Sequence, residues 1–163
     1  MKKSKKKVLF ISSTGGHLTE LLQLSPLFKK YDYTLMTEKT KSNMGLKDKH
    51  PGRVHFLISG TYTTLGAKIV YPFKLIGNCF ISLFWFLRIR PDVVISTGSH
   101  NAGPMCLIAH IFRKKVIFIE TFANSEKPTR AGKLIYKFAD AFIVQWDSML
   151  EFYPNAINGG WIF

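Results

Sequence analysis

Short apolar runs alternate along this chain with segments of helical spacing. VLFIS (8–12), YTLMT (33–37), RVHFLI (53–58), DVVIST (92–97), KVIFIE (115–120) and AFIVQW (141–146) read as strands. HLTELLQLSPLFKK (17–30) sets Leu18, Leu21, Leu22 and Leu24 on one helical face. AGPMCLIAHIF (102–112) and RAGKLIYKFA (130–139) also read as helices, and a longer apolar helix is expected over about 69–88. The polar, glycine-broken segment 37–52 is expected to be a mobile loop. Runs such as VIFI are apolar without alternation, as strands covered on both faces are. The pattern predicts one α/β domain over 1–163, a Rossmann-like parallel sheet with helices on both faces.

In such a sheet, ligands gather at the carboxyl ends of the strands. Three polar segments fall there: STGGH (13–17), TGSHNAGP (97–104) and ETFANSEKPTR (120–130). Gly15 and Gly16 let the backbone approach a ligand, and the amides of the helix that follows favour an anion. Thr14 can hydrogen-bond at that turn, and His17 faces the same opening as a base or a phosphate donor. Gly98, Ser99, His100 and Asn101 repeat the logic, with Pro104 near the first turn of the next helix. Singly, each is either a tight structural turn or an anion site; two on one sheet edge favour an anion cleft. The spacing matches neither the dinucleotide fingerprint nor the P-loop. Glu120 ends a buried strand, where it could orient a sugar hydroxyl, act as a base, or serve as a cap or salt-bridge partner.

The run at 75–87 carries no charge and is bracketed by Lys74, Arg88 and Arg90. It is short of the roughly 20 apolar residues that span a bilayer. As a helix it has a thin polar line of Lys74, Asn78 and Ser82, with Phe80, Phe84, Trp85 and Phe86 on its other sides. Such a helix is either buried in the core or lies at a membrane interface, and the flanking cations favour the interface. Charge points the same way. The chain has 23 Lys+Arg against 10 Asp+Glu, a formal net charge of +13, and 14 Phe. This balance suits an anionic membrane surface at least as well as nucleic acid. The tail MKKSKKK (1–7) is either solvated or adds attraction to anionic lipid. VLFIS is too short for the apolar region of a signal peptide, so no export signal is expected. Cys79 and Cys106 read as reduced thiols, and no metal-ligand spacing is present. The lysines gather in the tail and the 37–53 segment, away from the aromatics, which argues against nucleic-acid binding. A basic module for anionic ligands, with no transferase role, is the rival reading.

STGGHLTELLQL, RPDVVISTGSHNAGPMCLIA, VIFIETFANSEKPTRAGKLIYKFADAFIVQW and YPNAINGGWIF together resemble a known family. It includes the membrane-anchoring subunit of the eukaryotic two-chain transferase that adds the second N-acetylglucosamine to dolichol-diphosphate sugar. It also includes bacterial capsule and exopolysaccharide proteins that assist a separate glycosyltransferase. The glycine turns are similar to those in the acceptor half of the peptidoglycan enzyme MurG.

The resemblance implies the N-terminal, acceptor-side half of a GT-B glycosyltransferase split between two chains. Transfer activity is then expected only with a catalytic partner subunit. No cofactor is expected on this chain, because the nucleotide-sugar donor would sit on the partner; in agreement, no second Rossmann-like run follows the sixth strand. The implied acceptor is a sugar on a polyprenyl diphosphate at the cytoplasmic membrane face. Gly15, Gly16 and His17 would face its diphosphate or reacting hydroxyl, Gly98 to Asn101 would line the same cleft, and Glu120 would lie near the acceptor sugar. The family's eukaryotic subunit has an N-terminal membrane anchor, whereas attachment here would fall to the lysine tail and the 75–87 helix. The terminal segment 154–163, with Trp161, Ile162 and Phe163, either packs back on its own sheet or docks into the partner.

Overall fold

The computed structural model describes residues 4–60 and 65–162. The apolar runs form the strands β1 (Lys7–Ile11), β2 (Asp32–Glu38), β3 (Val54–Leu57), β4 (Val93–Ser96), β5 (Lys115–Ile119) and β6 (Ala141–Val144). A seventh, two-residue strand, β7 (Ile157–Asn158), follows them. All pairings are parallel, in the order β3-β2-β1-β4-β5-β6-β7. Alternate side chains of each strand enter two separate cores. Leu9, Ile11, Val94, Val116, Phe118, Phe142 and Val144 face one layer of helices. Val8, Phe10, Ile95, Ile119 and Leu35 face the other. Coverage on both faces explains why the strands are apolar throughout.

The helices are α1 (Gly16–Gln23), α2 (Leu46–Lys49), α3 (Leu65–Ile89), α4 (Gly103–Ile111) and α5 (Arg130–Ile135). Leu18 and Leu21 of α1, Phe28 and Leu46 of α2 pack on one face of the sheet. Phe86 of α3, Met105, Cys106 and Ala109 of α4, and Ala131 and Ile135 of α5 pack on the other. Three expectations need correction. The helix at 17–30 breaks at Leu24, and Ser25–Lys29 continues as a 3-10 turn around Pro26, which removes a backbone donor. The helix at 130–139 closes at Ile135. Segment 37–52 is ordered, with a 3-10 turn at Lys41–Asn43 and α2, because Asn43 and Leu46 are buried. The terminal segment contributes β7 to the sheet, so it docks on its own chain at least through that edge.

α3 carries its polarity the opposite way round from a soluble helix. Asn78 and Ser82 face inward, and the Asn78 amide spans the end of β3, accepting from Ile58 N (2.8 Å) and donating to Ile58 O (3.0 Å). Phe73, Ile76, Phe80, Leu83, Phe84 and Leu87 face out, with Phe80 69% exposed. Val70–Ile89 is long and apolar enough to cross a membrane, with a mean hydropathy of 1.4. Its inner side is held against α4 and β3. Two of the expected membrane aromatics belong to that inner side. Phe86 is only 3% exposed and packs on Phe112, and Trp85 stacks on His55 with ring centroids 3.5 Å apart.

Candidate functional site

The strand order reverses between β1 and β4: the chain runs outward through β2 and β3, then returns to place β4 on the other side of β1. Crevices for ligands form at the carboxyl side of such a switch point. Here both glycine turns meet. Ser13 N donates to Gly98 O (2.8 Å), Ser99 N donates to Ser13 Oγ (3.0 Å), and the Ser13 and Ser99 hydroxyls lie 2.7 Å apart. The His17 ring closes the junction. Thr97 O can only accept, so His17 Nδ1 donates to it (2.8 Å), while Thr97 Oγ1 donates to His17 O (2.7 Å). That tautomer leaves Nε2 as the proton-accepting nitrogen. Gly98 has φ +99, and a Cβ there would stand 3.1 Å from the His17 ring, so the turn requires glycine twice over.

Beside the junction lies a polar cavity of about 150 Å³ lined by Thr14, Glu38, Gly60, Ser99, His100 and Asn101, with Tyr71 at its edge. Glu38 is buried at the end of β2. It accepts from Asn101 Nδ2 (2.9 Å), Gly60 N (3.0 Å) and Ser59 Oγ (3.1 Å). Asn101 is 3% exposed, and its Oδ1 has no donor among the described residues. Asn43 joins the floor by donating to Thr14 Oγ1 (3.1 Å) and Glu38 O (3.2 Å). Burial, then the charges of Arg130 and His17, lower the pKa of His100 below the usual histidine value. A larger open cavity of about 720 Å³ lies at the opposite, amino ends of the strands. Arg53 and Lys114 there pair with Asp32 and Asp92, and Lys5, Lys7 and Arg90 donate to backbone carbonyls.

Thr14, Gly98, Ser99, His100 and Asn101 therefore converge with His17, and Gly15 and Gly16 open the first turn of α1 beside them. Glu120 is not among the residues that line this cavity. It is 1% exposed, and its carboxylate accepts from Thr129 Oγ1 (2.9 Å), Tyr153 OH (2.9 Å) and Thr121 N (3.1 Å). Burial, followed by the Glu120 charge, pushes the Tyr153 hydroxyl up. Glu38, Asn43 and Glu20 were not singled out from the sequence. Glu38 had a usable signal, since it ends an apolar strand as Glu120 does. Glu20 ties α1 to the loop after β5, accepting from Thr121 Oγ1 (2.8 Å) and Phe122 N (3.0 Å), and its burial raises its pKa.

The expected membrane residues Phe80, Phe84, Arg88 and Arg90 are exposed along α3 or at its end, while Lys74, on the line of Asn78 and Ser82, is half-buried. Trp161 is exposed and leans on Phe122 and Trp146, while Ile162 packs back on the core and donates its N–H to Gln145 Oε1 (3.3 Å). Phe163 and the first three residues of the tail lie outside the described residues. Lys5 donates to Lys29 O, and Lys7 is part of β1. Among the described residues no group of three His, Cys, Asp or Glu side chains could hold a metal ion.

Known proteins are similar to this chain in sequence or in fold. A UDP-N-acetylglucosamine transferase subunit ALG14 of Rattus norvegicus is 32% identical over 175 residues, covering 94% of this chain and 81% of its own. A UDP-N-acetylglucosamine–N-acetylmuramyl-(pentapeptide) pyrophosphoryl-undecaprenol N-acetylglucosamine transferase of Vesicomyosocius okutanii is 25% identical over 168 residues, covering 96% of this chain and 46% of its own. The crystal structure of Acinetobacter baumannii MurG superposes with a TM-score of 0.68 at 18% identity, covering 85% of this chain. This chain spans about two fifths of that structure, 41% of its length. The fold is that of the N-terminal half of a GT-B enzyme. The family model of the oligosaccharide biosynthesis protein Alg14 matches residues 57–162, and the chain belongs to this Alg14-like family.

Proposed function

We propose that this chain is the acceptor-binding subunit of a two-chain glycosyltransferase. It takes a sugar carried on a polyprenyl diphosphate at the cytoplasmic face of the membrane and recruits a catalytic subunit with the nucleotide-sugar site. Capsule or exopolysaccharide synthesis is the setting we infer. The observation that carries the reading is the meeting of both glycine turns, His17 and a polar cavity at the switch point, beside a helix whose apolar side faces out. The names of the ALG14 relatives and the MurG likeness support a division of labour between acceptor and donor halves.

The chemistry follows from these positions. The reacting hydroxyl of the acceptor comes to the opening that Gly15 and Gly16 leave beside His17. The acceptor hydroxyl attacks the anomeric carbon of the donor sugar, forming one C–O bond as the bond to the nucleotide diphosphate breaks. His17 Nε2 accepts the hydroxyl proton, while Thr97 O holds the ring in the required tautomer. Trp161, Ile162 and Phe163 border the partner, and the outer side of α3 with Arg88 and Arg90 borders anionic lipid.

Reconstitution tests the reading. The purified chain, given nucleotide sugar and a polyprenyl-diphosphate sugar, shows no transfer, and a GT-B donor-half partner restores it. Robust transfer by the single chain would overturn the split.

A further inference from the structure

An apolar groove of about 390 Å³ opens next to the polar cavity. Its walls are Leu75 and Cys79 of α3, Pro104 and Leu107 of α4, and Leu134 and Ile135 of α5. Tyr71 and His100 line both the groove and the polar cavity, so the two adjoin. Arg130, the first residue of α5, stands on the rim and has no carboxylate partner among the described residues. Leu107 and Leu134 are large, apolar and exposed, as wall residues awaiting an occupant would be.

We propose that this groove holds the first isoprene units of the acceptor's lipid chain, with the diphosphate at His100 and Arg130 and the sugar in the polar cavity. The assignment rests on the acceptor reading above. Its support is an order of chemistries. A polyprenyl-diphosphate sugar carries, in covalent sequence, a polar ring, two anionic groups and a hydrocarbon. The molecule presents, in spatial sequence, a polar cavity, the His100 imidazole with the Arg130 guanidinium, and an apolar groove. A bilayer surface would be met by a convex apolar patch, such as the outer side of α3. A concave, three-helix slot fits a single chain instead.

Cys79 reports on occupancy. It is exposed and lines the groove, while Cys106 is fully buried with its thiol pushed up to about 12, so only Cys79 reacts at neutral pH. The experiment follows the rate of Cys79 modification by a small aromatic disulfide reagent on the full chain. The probes are geranylgeranyl diphosphate below its micelle concentration, inorganic pyrophosphate, and neutral phosphatidylcholine vesicles. At about ten times its Kd, geranylgeranyl diphosphate slows the reaction roughly tenfold, pyrophosphate alone leaves it nearly unchanged, and vesicles protect far less. Leu107→Glu or Leu134→Glu, both at exposed positions, abolishes the protection without shifting the urea midpoint. If geranylgeranyl diphosphate displaces labelled pyrophosphate yet leaves Cys79 reacting at its free rate, the groove assignment falls and the acceptor reading stands. Equal protection by neutral vesicles, or no protection by any probe, also overturns the groove. The acceptor reading fails separately, in the transfer assay.

Discussion

Gly132 decides whether Glu120 is a structural hub or a chemical group. It sits in α5 against the Glu120 carboxylate. A Cβ at Gly132 would stand 2.0 Å from Glu120 Oε2, 2.6 Å from Tyr153 OH and 2.9 Å from Thr129 Oγ1. None of these atoms ends a flexible surface side chain, since all belong to one buried network. Gly132→Ala must therefore push the carboxylate off its donors. Overpacking costs about 1–3 kcal/mol. Losing a hydrogen bond to a charged buried group adds roughly 1.5–3 kcal/mol. Together they predict a loss of roughly 3–6 kcal/mol. Urea unfolding, followed by far-UV circular dichroism, measures it as a drop in midpoint at unchanged slope. Gly16→Ala is the control: a Cβ there meets nothing within 4 Å, and its effect stays within about 1 kcal/mol. The reasoning is refuted if Gly132→Ala is as stable as the parent.

Two further predictions follow from the same coordinates. His50, His55 and His100 all have lowered pKa values, chiefly through burial, with Lys49, Lys47 and Arg130 adding to the effect. The unfolded chain then binds protons that the fold refuses, so stability is full above about pH 6.5 and falls as pH drops below it. Glu20 has the opposite sign, because its raised pKa costs stability as pH rises past 4.5, and Glu20→Gln isolates the histidine effect. The urea midpoint of that variant should be lower at pH 5.5 than at 7.5; equal midpoints would contradict the assignment. Phe80→Glu with Phe84→Glu should weaken flotation on anionic vesicles at low salt while leaving the urea midpoint unchanged, since both rings are exposed. Unchanged flotation would move membrane contact away from α3.

The strands were legible because a doubly covered sheet demands continuous apolar runs, and six of them carry this signal. β7 was hidden because its two residues, Ile157 and Asn158, gain their place from pairing with β6 and not from any local pattern. α3 was legible as amphipathic, but its orientation was only half readable. Asn78 faces inward because the backbone of Ile58, twenty residues earlier, satisfies its amide. The two strand-ending glutamates show the same limit. Glu38 and Glu120 look alike in sequence. Thr129 and Tyr153, brought in from 9 and 33 residues away, seal Glu120, while Glu38 is left on the cavity wall. The glycine turns were the readable part of the site, since a positive φ and a close histidine leave few alternatives at Gly98.

Titration calorimetry on the isolated chain tests the central claim most directly. The ligands are a short-chain polyprenyl-diphosphate sugar and UDP-N-acetylglucosamine. The account predicts that the lipid-linked sugar binds and that Asn101→Leu weakens it, because Asn101 Oδ1 lacks a donor among the described residues until a sugar supplies one. It predicts no measurable heat from the nucleotide sugar until the partner is added. Tight binding of the nucleotide sugar to the single chain, lost on Asn101→Leu, would make the switch-point cleft a donor site and contradict the account.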